Sequence, residues 1–164
     1  MPHPILDQIN ASPLGQMMLD YSWLFSLCET LHFIGLCLLM GSLLVVDLRL
    51  AEVMKDLPVR VALRFVPFAI AGLLINITTG ILFFVSNPAG YWGNWMFLLK
   101  MALVILATGN ALYVTFVEEK HILALPEGAP MPRMTKITAW ASLVLWTLVL
   151  IAGRALPVTS DGNG

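Results

Sequence analysis

Four long apolar runs leave this chain little choice of fold. They cover roughly residues 21–46, 65–86, 95–117 and 137–156, and each reaches the ~20 residues an α-helix needs to cross the hydrocarbon core of a bilayer. Lipid offers no partner for a free peptide group, so a spanning segment must satisfy its own hydrogen bonds as a helix. The sequence therefore predicts an all-α, four-helix integral membrane bundle, organised as one membrane domain over residues 1–164. Composition agrees: 59% of residues are hydrophobic and 12% charged, with a mean hydropathy of +0.84. Soluble domains carry about 25% charged residues. The cations are few and scattered, which leaves no basic stripe for phosphates and argues against nucleic-acid binding.

Charge between the runs sets an expected orientation. Arg49, Lys55, Arg60 and Arg64 lie between the first and second runs, and Lys120, Arg133 and Lys136 between the third and fourth. The segment SNPAGYWGN and the N-terminal tail carry no cation. The positive-inside bias then places both termini outside, in the periplasm of a bacterial inner membrane. Trp23, Tyr91, Trp92 and Trp95 fall at the outer boundary, where aromatic belts form. The start MPHPILDQINASP lacks a basic n-region, so the first run is expected to stay in place as a helix. Ser12 and Pro13 suggest a short amphipathic surface helix over ASPLGQMMLD. Pro126, Pro130 and Pro132 predict an irregular last inner loop, and VTSDGNG after Pro157 reads as disordered.

Within the runs, ionisable residues are the informative ones, because each costs about 2.5–3.5 kcal/mol at a helix centre on insertion scales. Glu29 and His32 interrupt the first run, Lys100 the third and Arg154 the end of the fourth. All four lie in the predicted outer half and are expected to face the bundle interior. Glu29 and His32 are three residues apart and share a helix face, with Cys28 one turn before His32 and Gly35 one turn after it. A histidine beside a glycine on an inward face lets a flat macrocycle approach the backbone, and imidazole is a good axial ligand for haem iron. Lys100 and Arg154 are placed to neutralise propionates.

Other readings stand beside this one. Glu29 and Lys100 can form a buried ion pair while His32 hydrogen-bonds across helices. Cys28, Glu29, His32 and nearby methionines can form a copper path, since soft ligands suit Cu(I). Gly35, Gly41 and Ser42 can serve helix packing alone. Cys28 and Cys37 are about 13.5 Å apart on a straight helix, too far to bridge. The dispersed methionines read as gap-fillers. His121, among charges in EEKHIL, reads as an interfacial residue or as the ligand of a second haem near the inner face; His3 carries less weight. Asp47 and Arg49 are expected to end the first span, paired with charges in the following loop.

ETLHFIGLCLLMGSLLVVDLRL in the first run, together with WMFLLKMALVILATGNALYV in the third, resembles two related groups of small bacterial membrane proteins: the membrane-type protoporphyrinogen oxidases and the copper-resistance D family. The resemblance covers roughly the first three spans. It implies a b-type haem, one or two per chain, with His32 as axial ligand and Lys100 as the functional lysine. Where the oxidases often place a later histidine on the third helix, this chain has Asn110 and Tyr113. The reading that follows is a membrane cytochrome transferring electrons, with quinone or a redox protein as partner and Lys100 or a second histidine, such as His121, as the other ligand. A haem-dependent porphyrinogen oxidase and a copper transporter are the alternatives, and a homo-oligomer is expected.

Overall fold

The computed structural model describes residues 4–126 and 128–160, all of its regular structure helical. His3 and the end of the tail from Asp161 lie outside the described residues.

Four helical segments are long and apolar enough to cross a membrane: Ser22–Leu50, Val59–Ser86, Trp95–Leu123 and Arg133–Thr159. Two short helices precede them, α1 (Pro4–Asn10) and α2 (Pro13–Asp20). As the sequence predicts, Ser12 caps α2, its hydroxyl accepting from the Gly15 amide at 3.2 Å, with Pro13 in the first turn. Pro13 fits there because the first amides of a helix have no intrahelical acceptor. α2 packs on the second span and buries Met18.

The first span is α3 (Ser22–Leu50), a helix of 29 residues. The second starts as α4 (Val59–Leu63) and, after a turn at Arg64 and Phe65, runs as α5 (Val66–Ser86). Pro67 has no amide to continue the ladder from α4, which puts the break there. Asn87 then caps α6 (Pro88–Trp92) by accepting from the Gly90 amide, and Asn94 caps α7 (Trp95–Tyr113) by accepting from the Met96 amide at 2.9 Å. The third span continues beyond α7 through a π-helical turn, Val114–Glu118, into α8 (Glu119–Leu123). It is longer than the apolar run because Glu118 is carried inside the helix and buried.

The fourth span, α9 (Arg133–Ser160), passes through Pro157. The disorder expected after Pro157 is therefore corrected for Val158 to Ser160. Asn94 explains the extension: Nδ2 donates to the Leu156 carbonyl at 3.3 Å and lies 3.0 Å from the Thr159 hydroxyl, pinning the last turn to the start of α7. The proline-rich loop before α9 is irregular, as expected.

Antiparallel connections bring the start of α3, the end of α5, the start of α7 and the end of α9 to one end of the bundle. The closest packing joins α3 to α5 and α7 to α9, and α3 to α9 links the two pairs. Leu39, Ala69, Ala107, Trp146 and Val149, one or two from each span, form the central apolar cluster. A second cluster, including Val46, Leu50, Ile122 and Ala139, lies toward the other end.

At that other end, Glu52 adopts a left-handed conformation, φ 62°, just after α3. Its carboxylate accepts from the Met131 amide and from Lys136 Nζ, both at 2.6 Å. These bonds tie the first connection to the start of α9. The expected pairing of Asp47 and Arg49 with loop charges is corrected: both belong to the last turns of α3, Arg49 Nε donates to the Leu57 carbonyl, and Asp47 sits beside Ser142 of α9. Glu52–Lys136 is the one ion pair among the described residues. The helix end recruits a backbone carbonyl and a hydroxyl in place of surface ions.

Candidate functional site

The buried stripe of α3 runs through Cys28, Gly35, Leu39, Ser42 and Val46. His32 falls on the same line, one turn after Cys28. Its Nδ1 lies 2.7 Å from the Thr79 hydroxyl of α5, and its ring meets Phe83 edge-on at 5.5 Å. Thr79 also lies 2.7 Å from the Ile75 carbonyl, one turn back on its own helix. A hydroxyl has a single hydrogen, and the carbonyl cannot supply one. Thr79 therefore donates to Ile75 and accepts from His32 Nδ1–H. That assignment, inferred from the hydrogen-bond pattern, leaves the Nε2 lone pair available. An imidazole held through one nitrogen and open at the other is the arrangement a metal-ligating histidine uses.

Gly35 has a different role from the one expected. A Cβ there would lie 2.6 Å from Asn76 Nδ2, 2.9 Å from Ile75 Cγ2 and 3.1 Å from the Gly72 carbonyl. At Gly72 a Cβ would approach the Leu39 amide nitrogen to 2.6 Å and the Gly35 carbonyl to 2.7 Å. The space over Gly35 is thus filled by α5, and the two glycines mark where the backbones of α3 and α5 cross. Small residues allow such close approach between membrane helices. Gly35 is a packing residue, and the macrocycle cradle assigned to it is corrected.

Lys100 stays with its own helix pair. A Cβ added at Gly153 would lie 3.4 Å from Lys100 Nζ and 3.5 Å from Cε, so the lysine stem lies against the bare backbone of α9. A direct pocket between the first and third spans does not follow from the packing, because α3 meets α5 and α9 as its main partners.

Glu29 and Arg154 are exposed on the surface of the chain. Their expected inward orientation is corrected: Glu29 is one residue past Cys28, about 100° around the helix from the buried stripe, and Arg154 is two residues past the buried Ala152. No Glu29–Lys100 ion pair occurs among the described residues. His121 is exposed on α8, at the opposite end from His32. Asn110, at the stretch where the oxidases often have a histidine, donates to the Thr138 carbonyl at 3.0 Å and fastens α7 to α9.

A family model matches residues 6–159, nearly the whole chain. The chain belongs to a family of unknown function, DUF6644. No curated protein and no solved structure matches it. In this family member the residues that the sequence alone does not bring forward are Thr79, Asn76 and Gly72, which shape the surroundings of His32. The signal was the polar run Asn76, Thr78, Thr79 inside an otherwise apolar span. No group of three or more histidine, cysteine or acidic side chains converges on a metal-sized site among the described residues.

Proposed function

We propose that this protein is a membrane b-type cytochrome, in which His32 would hold the haem iron and electron transfer is the activity. The observation that carries the reading is the Thr79 contact, which orients the imidazole through Nδ1 and frees Nε2. The donor chemistry at His32 fits the cofactor; the filled space over Gly35 does not extend that fit to a glycine cradle. Lys100, whose stem lies on α9, would be the second nitrogen donor only as the neutral amine and after leaving its place against Gly153. Arg154, one residue past the Gly153 backbone that carries the Lys100 stem, is available to a propionate. Bound haem would supply a one-electron carrier within the bilayer. The chain's own part is to fix the imidazole tautomer, hold the ring against Phe83 and exclude water with the apolar faces of the spans.

In this reading the bundle sits in the bacterial inner membrane with both termini outside. It exchanges electrons with a quinone or a redox protein, and it works as a homo-oligomer whose subunits cover the apolar surface left open by the chain. Haem content tests it. Purified protein reconstituted with haemin is expected to hold the cofactor stoichiometrically, and His32→Ala to lose it. Equal haem content in the two proteins would remove the proposal.

A further inference from the structure

A second set of buried polar groups lies on the groove between α3 and α9, away from His32. Met40, Leu43 and Leu44 of α3 and Leu143 of α9 wall a cavity of about 170 Å³, and Asp47 and Trp146 also line it. Asp47 is 5% exposed and Trp146 3%. Asp47 Oδ2 and Trp146 Nε1 both lack a hydrogen-bond partner among the described residues. Gly41, Leu44 and Thr147, on the rim of the same groove, are exposed, so in a membrane it opens toward lipid.

An unpaired acceptor and an unpaired donor at one apolar site call for a ligand that carries both complements. The size is informative as well. An apolar cavity of about 150 Å³ accommodates one benzene ring, so a groove of about 170 Å³ has room for a single-ring headgroup. The ligand must also arrive through lipid.

We propose that the α3–α9 groove binds the ring of a lipid-soluble quinol: one hydroxyl donates to Asp47, the other oxygen accepts from the Trp146 indole, and the tail lies in the bilayer. A role for the quinol as electron donor rests on the haem reading above. The binding site itself rests on the groove.

Gly41 provides the decisive variant, because a Cβ at that position meets nothing within 4 Å. Gly41→Leu should fill the groove without disturbing the helices. The full-length protein in lipid nanodiscs is titrated with decylubiquinol by calorimetry, with decanol as a tail-only competitor. The expected result is saturable binding that decanol does not displace, weakened at least tenfold in Trp146→Phe and in Asp47→Asn and lost in Gly41→Leu. No saturable binding, displacement by decanol, or unchanged binding in Gly41→Leu would overturn the proposal. Haem content measured on the same samples separates the two readings: groove-dependent binding by protein that takes up no haem leaves the quinol site standing and removes the cytochrome. Haem-loaded protein whose decylubiquinol binding ignores all three substitutions does the reverse.

Discussion

At the scale of single residues, Thr79 decides how His32 can act, since its one hydrogen is directed to Ile75 and its lone pair to the imidazole. Thr79→Val removes that acceptor at nearly constant shape. It should weaken the α3–α5 contact by about 1 kcal/mol, in the range found for hydrogen bonds between membrane helices. A double-mutant cycle with His32→Ala, read by unfolding in mixed micelles, checks the value. The glycines divide just as clearly. Gly72→Ala drives a methyl into two backbone atoms of α3 and should cost about 1–3 kcal/mol, as overpacking does. Gly41→Ala enters open space and should change stability by less than about 0.5 kcal/mol. The same unfolding assay ranks them. His32 and Lys100 were legible in the sequence because an ionisable group stands out in an apolar run. Thr79 was not, because a threonine can donate to its own helix at little cost in lipid, so the polar run it belongs to does not say which side chain on another helix it meets.

At the scale of elements, the spans were legible because period and length follow from the bilayer, and Ser12 with Pro13 announced the start of α2. The pairing of the helices was hidden. It depends on which small residues meet, and Gly35 reads equally well as a cofactor cradle until Asn76 and Gly72 are placed over it. The far end of α9 was misread for a similar reason: Pro157 signals a stop, and the Asn94 contacts that hold the next turn come from more than sixty residues away. At the other end, Glu52 ties the turn after α3 to α9, and its bonds to Lys136 and to the Met131 amide hold its carboxyl below the usual carboxylate range. Because the folded form binds its proton less readily than the unfolded chain, this tie contributes fully above the ordinary carboxylate value. It is lost as pH falls through the folded value. Thermal stability between pH 6 and pH 3 should therefore fall less steeply in Glu52→Gln than in the native chain. Glu52→Gly relieves the left-handed strain while Glu52→Ala does not, so the alanine variant should melt lower.

At the scale of the whole molecule, the chain covers little of its own apolar surface. The best-covered apolar stretch, in α3, is 28% buried, and the one in the third span is 6% buried. The rest must meet lipid, a bound ring or another subunit. The row α5, α3, α9, α7 places His32 on one helix pair and Lys100 on the other, so a haem held by both would bind the two pairs together. Cofactor binding should accordingly stabilise the bundle, with haem-loaded protein melting above haem-free protein and His32→Ala showing no such difference. The most direct test of the account is the reduced-minus-oxidised optical spectrum of membranes containing the native chain or His32→Ala. A b-type difference band in the native chain that disappears in the variant is the predicted result. No haem band, or the same band in both, would contradict the account.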